Sequence, residues 1–212
     1  MSVYVPRHFA ATDRAAIARV LHEFGFATLI TSAGGDVLIS HVPVLVEDPA
    51  AGSGGDGTII GHVAAANPHA AALAGGASIV VFNGPDGYIS PNWYAAPAAS
   101  VPTWNYVAVH VHGPLERLDD LVDKRRIVDT LSARHEAQFA EPWTSSKMDP
   151  ALLERMLGAI VGFRLRIARI EAKFKLGQNR GAADRSGAVG GLVAQGTPGA
   201  AMLADWMREY GA

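Results

Sequence analysis

Residues 26–47 read FATLITSAGGDVLISHVPVLVE, two β-branched runs on either side of Gly34-Gly35. Phe26–Ser32 and Asp36–Glu47 suit strands, and a glycine pair between such runs predicts a tight hairpin whose central residues take positive φ. Pro43, inside the second run, has no N–H for a ladder and so predicts an edge or a bulge. Further strands follow at Thr58–Val63, Ser78–Phe82 and Pro102–Leu115. Another is expected where Phe163, Leu165 and Ile167 alternate with Arg164 and Arg166. That alternation slips to Ile170, Ala172 and Phe174, as a bulge near Ala168-Arg169 would explain. Asn83-Gly84-Pro85-Asp86-Gly87 reads as a turn, and residues 88–101 as a long loop.

Helical spacing appears around these runs. Ile17, Val20, Leu21 and Phe24 make one face of a helix over 12–24, with Thr12 as N-cap and Gly25 as terminator. Asn67-Pro68 opens a short helix over 68–74 that stops at Gly75-Gly76. A helix over 119–140 turns Leu121, Val128, Leu131 and Phe139 to one side, and Asp149-Pro150 opens another to about Ile160. Leu203, Trp206, Met207 and Tyr210 mark a last helix, capped by Thr197-Pro198. About six hairpin-connected strands with helices at the ends and in the connections predict an α+β fold: an antiparallel barrel with peripheral helices, not a doubly wound sheet.

The 212 residues, 49% apolar and 18% charged, suit a single domain over 1–212 with a C-terminal helical extension. The absence of cysteine excludes thiol catalysis, thiolate metal sites and disulfides. A net charge of −2 argues against tight nucleic-acid binding. Met1–Arg7 lacks a basic region followed by an apolar run, and no apolar stretch is long enough to cross a bilayer. A cytoplasmic protein without membrane attachment is therefore expected.

Several motifs invite chemistry. Gly52-Ser53-Gly54-Gly55-Asp56-Gly57 spells G-x-G-x-x-G, but a loop precedes it and a strand follows, so it reads as a hairpin loop. His110 and His112 share one strand face. Without a third ligand at recognisable spacing they do not make a metal site, even with His62 or His41 nearby. Ser40 and His41, adjacent on a strand, point to opposite faces and cannot form a dyad. Lys124-Arg125-Arg126 reads as a solvated helix face, and no helix-turn-helix follows it. Two tryptophans and three tyrosines fall within residues 88–106. Such a density belongs to a barrel mouth, a subunit interface, a ligand site or several of these together.

Val3–Phe9, Ile39–Pro43, Gly61–Pro68, Tyr88–Pro91 with Trp93-Tyr94, Val101–Tyr106 and Lys173–Arg180 together resemble the PaiB-type FMN-binding negative transcriptional regulators, over roughly residues 3–210. The resemblance implies a split β-barrel, a homodimer, and FMN in a groove to which both subunits contribute. An isoalloxazine ring needs a flat apolar slot with polar edge partners, and its phosphate needs N–H groups or cations. Ser40, His62, Asn67, Ser90, Trp93, Thr103, Trp104, Lys175, Gln178 and Asn179 form the candidate cofactor-binding set. Within it the helix start at Asn67-Pro68-His69 and the cations Lys173, Lys175 and Arg180 are phosphate candidates, and Gln178 and Asn179 partners for the ring's amide edge. Two positions depart from the family pattern: Ala65 stands where an arginine is usual, and Gly177 where a serine is usual. Each lost contact to a phosphate costs on the order of 1.5–3 kcal/mol. The expected function is a flavin-bearing regulator that senses redox state or a small molecule, without direct DNA contact. The alternatives are a flavin-dependent oxidoreductase, or a haem-binding split barrel using His62, His110 and His112.

Overall fold

A computed structural model describes residues 3–47, 57–74 and 77–211. Its strands are β1 Phe26–Ala33, β2 Asp36–Glu47, β3 Thr58–Ala64, β4 Ala77–Ile89, β5 Thr103–Leu118, β6 Ile160–Arg166 and β7 Arg169–Lys175. Its helices are α1 Arg14–Glu23, α2 His69–Ala72, α3 Leu121–Glu136, α4 Pro150–Gly158, α5 Ala182–Ala194 and α6 Pro198–Tyr210. The strand order is β4-β1-β2-β3-β6-β5-β7, and β4 also pairs with β5. The paired registers are antiparallel. The fold is the expected α+β arrangement, a split β-barrel with peripheral helices. No described helix is long and apolar enough to cross a membrane.

The described residues cluster into two compact units. One contains Leu21–Phe82 and Val111–Ile170. Its nucleus is the hairpin: Ala33 faces Asp36, with Gly34 at φ 63° and Gly35 at φ 92°, the two left-handed residues such a turn requires. Pro43 has a ladder partner on one side only, as an edge position does, and no bulge is involved. It faces Phe26 as the last pairing with β1, and from Val44 onward β2 pairs with β3 instead. A proline fits where the strand changes partners, because the ladder there does not depend on its N–H. Leu45, Ile60, Leu118, Ile127 and Leu131 form one buried cluster that seats α3 on the sheet. The buried face of α3 is thus Lys124, Ile127 and Leu131, whereas Leu121 and Phe139 are exposed. Lys124 stays buried because its aliphatic stem packs while Nζ donates to the Leu157 carbonyl at 3.3 Å. Asp120 caps α3 by accepting from Val122 N–H, and Asp149 caps α4 by accepting from Leu152 N–H. α4 ends at Gly158, and Ile160 already belongs to β6.

The slip in alternation after Ile167 is a strand break, not a bulge. Between β6 and β7, Ile167 N–H donates to Gly57 O at 3.1 Å and Ala168 N–H to His112 O at 2.9 Å. The two strands differ in their pairing: β6 lies between β3 and the Leu115–Leu118 end of β5, whereas β7 lies on the other side of β5. The loop at 48–56, with most of the G-x-G-x-x-G string, lies outside the described residues, as does Gly75-Gly76.

The second unit contains residues up to Val20, Asn83–His110 and those from Glu171 onward. α1 starts at Asp13, whose carboxylate accepts from Ala15 N–H at 2.9 Å; Thr12 is not its cap. Asn83-Gly84-Pro85-Asp86-Gly87 is not a turn but the second half of β4, and neither glycine has a positive φ. Gly84 is required by packing, since a Cβ there would lie 2.9 Å from Val107 Cβ. Thr197 caps α6 by accepting from Ala200 N–H. The core of this unit is aromatic: Trp206 meets Phe174 edge-on at 5.6 Å, and Arg19 lies over the Trp206 ring at 4.6 Å. The N-terminal segment runs beside β7, with Ala10 bridged to Lys173 and Ala11 N–H donating to Ala172 O at 3.1 Å. α5, which the periodicity did not mark, packs beside α6.

Candidate functional site

Seven of the ten candidate residues lie in the second unit, and three of these meet. The Lys175 ammonium, at the end of β7, donates to the Thr103 hydroxyl and to the Trp104 carbonyl oxygen, the latter at 2.6 Å. The Trp104 indole N–H donates to the Asp86 carboxylate at 2.8 Å, and Tyr88 stands edge-on to the indole at 6.4 Å. Asp86 and Tyr88 are two apart on β4 and so share a face, which the turn reading concealed. Trp104 is 50% exposed and Tyr88 46%, an apolar shelf open to solvent.

The electrostatics beside this shelf favour an anion. Partial burial pushes the Lys175 ammonium below its usual range, and the positive charges of Lys173 and Arg180 push it further. Lys173 itself is buried, donates to Tyr4 O at 2.8 Å, and sits 5.5 Å from the Tyr4 ring and 5.2 Å from the Tyr106 ring. Arg180 lies 4.6 Å from the Tyr94 ring and pairs with Asp184 at 4.0 Å. Three cations with one carboxylate among them leave positive charge that an anionic ligand would neutralise.

The other four serve local structure or stand apart. The Ser90 hydroxyl accepts from Asn92 N–H and caps the turn Pro91–Trp93. The Trp93 ring rests on α5, where a Cβ on Gly191 would come within 2.2 Å of it and a Cβ on Gly187 within 1.9 Å of its carbonyl oxygen. Gln178 folds back on its own strand end, accepting from Leu176 N–H at 2.8 Å and donating to Phe174 O at 2.7 Å. Asn179 is exposed in the turn after Gly177, whose φ of 92° a serine would adopt only with strain.

The first unit holds Ser40, His62 and Asn67. Ser40 and Asn67 meet through a residue outside the candidate set, His69. Asn67 Nδ2 donates to Ser40 Oγ at 3.1 Å, Ser40 Oγ lies 3.0 Å from His69 Nδ1, and His69 Nε2 lies 2.8 Å from Thr31 Oγ1. Thr31 Oγ1 is in turn 2.7 Å from Ser78 Oγ, as the direct pairing of Thr31 with Ser78 in the sheet requires. Burial lowers the His69 pKa, so the ring is neutral and offers one donor and one acceptor. The N–H groups of His69 and Ala70 go back to Asn67, at 2.9 and 2.8 Å, so this four-residue helix presents neither of them to a phosphate. His62, opposite Gly162, is half-buried, and its Nδ1 is buried without a partner among the described residues. Burial lowers its pKa as well. His112 Nδ1 lies 3.1 Å from an Arg169 nitrogen. Among the described residues no three metal-ligating side chains gather.

Residues 3–169 match the model of a family described as "Putative FMN-binding domain". The chain belongs to this FMN-binding family. It is 31% identical over 210 residues to the protease synthase and sporulation protein PAI 2 of Bacillus subtilis, covering 98% of this chain and 97% of that one, in agreement with the PaiB-type resemblance. It is also 29% identical over 204 residues to an uncharacterised protein of Emericella nidulans, covering 81% of each. Among solved structures, a FAD and haem binding protein of Mycobacterium smegmatis matches at TM-score 0.54 and 18% identity, over 78% of this chain and 73% of that one. The flavocytochrome Anf3 of Azotobacter vinelandii matches at TM-score 0.56 and 16% identity, over 81% and 72%. At such identities these likenesses establish the fold that the FMN-binding family member shares with them, and nothing about its ligand.

Proposed function

We propose that this member of the FMN-binding family carries FMN as a redox or ligand sensor, acts as a homodimer, and uses the shelf of Trp104, Tyr88 and Lys175 as the main contact surface. The carrying observation is the pairing of a half-exposed Trp104, held at its indole N–H by Asp86 and at its backbone carbonyl by Lys175, with an ammonium whose charge is disfavoured by partial burial and by its cationic neighbours. The flat ring suits the indole, and a phosphate monoester suits Lys175 with Lys173 and Arg180 behind it. Bound FMN supplies one- or two-electron redox chemistry. The protein's part is to fix the Trp104 ring through Asp86, present the Thr103 hydroxyl, and hold the Lys175 proton where an anion arrives. A second copy over the exposed Trp104, Tyr88 and Val101 would exclude water from that surface. The reading takes the chain as one cytoplasmic domain over 1–212 that influences transcription without gripping DNA itself.

Titration of the purified protein with FMN, alongside light scattering for subunit number, tests this. Saturable quenching of flavin fluorescence by a dimer, with absorbance maxima near about 370 and 450 nm, is expected. A Soret band in the isolated protein, or a monomer that leaves flavin fluorescence unchanged, would overturn it.

A further inference from the structure

The basic run Lys124-Arg125-Arg126 separates into three different environments. Lys124 is buried against Leu157 O, Arg126 pairs with Glu47, and Arg125 lies along α3 with its Nε donating to Asp129 Oδ2 at 2.7 Å. The other Asp129 oxygen accepts from the Ser145 hydroxyl at 2.5 Å, and Ser145 is only 4% exposed. Burial opposes ionisation of Asp129, but the Ser145 and Arg125 hydrogen bonds outweigh it and hold its carboxyl below the usual range. One carboxylate oxygen therefore holds the guanidinium while the other is held by Ser145. The two Nη groups of Arg125 meet no protein acceptor among the described residues.

Arg125, with its partner Asp129, lines a cavity of about 320 Å³ between α3 and residues 143–146. Ser132, Thr144 and Ser146 bring hydroxyls to it, and Trp143, 37% exposed, brings a flat apolar face. Trp143 is positioned by its N–H, which donates to Glu136 on the same helix at 2.8 Å. The Thr144 and Ser146 hydroxyls lie 2.7 Å apart, so one donates to the other and the second keeps a proton to give. A buttressed guanidinium fork, rotatable hydroxyls and an indole face match one ligand chemistry: an oxyanion on a flat ring.

We propose that this cavity binds a small organic oxyanion, a carboxylate or phosphate on a planar ring, with Arg125 as its fork and Trp143 as its platform. None of the ten candidate flavin residues lies on α3 or on residues 143–146, so the site is a separate input through which a small molecule would address the protein. It does not rest on the flavin reading.

The test is NMR titration of the ¹⁵N-labelled protein with phenyl phosphate, benzoate, inorganic phosphate and neutral phenol, with the Trp143 indole signal assigned by Trp143→Phe. Saturable shifts of that indole and of the Ser145 and Ser146 amides are expected with phenyl phosphate or benzoate, and the tighter of the two identifies the oxyanion. Inorganic phosphate should bind more weakly, lacking the ring. Arg125→Ala should weaken binding at least tenfold while FMN titration and melting temperature stay unchanged. Equal shifts from phenol and phenyl phosphate, or full retention of binding by Arg125→Ala, would overturn the proposal.

Discussion

Lys175 and Trp104 are joined through the backbone: the ammonium donates to the Trp104 carbonyl oxygen at 2.6 Å, which fixes the start of β5 against the end of β7. The same ammonium bonds Thr103 and is held below its ordinary pKa by its own partial burial and by two neighbouring cations. Structural anchoring and electrostatic discomfort thus fall on one group. An anion removes the discomfort without disturbing the anchor.

Lys175→Ala should weaken FMN binding by roughly tenfold or more, the size of a lost charge-assisted contact. Asn179→Ala, at an exposed turn position, should weaken it less and leave melting unchanged. Flavin fluorescence titration of both variants, with light scattering to confirm that the subunit number matches that of the parent protein, reads the effect. Unaltered titration curves for both would place the cofactor elsewhere.

Asp86→Ala should free the Trp104 ring, because the indole loses its 2.8 Å acceptor. The near-ultraviolet circular dichroism of the tryptophans should diminish, and FMN affinity should fall severalfold with little change in melting temperature. Asp86→Asn, which retains an oxygen acceptor, should restore most of both signals.

Acid should destabilise the first unit through His62 and His69. Burial lowers both from the ordinary value of 6.5, so the unfolded chain takes up protons more readily than the folded one. Stability is therefore complete above the unfolded value and is lost as pH falls through the folded values. Urea midpoints at about pH 7.5 and about pH 5.5 should show the fall. It should shrink in His62→Gln, which carries no titrating ring.

Gly191→Ala should destabilise by about 1–3 kcal/mol, as overpacking does, because its Cβ would enter the Trp93 ring. Thermal melting measures this. Gly190→Ala, with nothing within 4 Å of the added carbon, should be neutral or slightly stabilising.

The parts legible in the sequence were those fixed by neighbours along the chain. Gly34-Gly35 declared its hairpin, and Asp149-Pro150 and Thr197-Pro198 declared their caps. The misread parts depend on residues far away. Gly84 looks like a turn residue until Val107 is seen against it, and β6 and β7 look like one strand until they are found on opposite sides of β5. α5, rich in glycine and alanine, has too weak an apolar stripe to announce itself; Gly187 and Gly191 are explained by Trp93. At the candidate site, Trp104 and Lys175 were recognised by type, but Asp86 was assigned to a turn. The Ser40–His69 contact spans 29 residues, so no local spacing could reveal it.

The N-terminal segment that runs beside β7, through Ala10 and Ala11, has a practical corollary. An uncovered strand edge is a template for another chain. Ala10 and Ala11 cover part of that edge, and a truncated variant starting at Thr12 would be expected to stick to itself even if every ligand-facing group were intact. Tags and fusions are better placed where they leave that first stretch free to lie down.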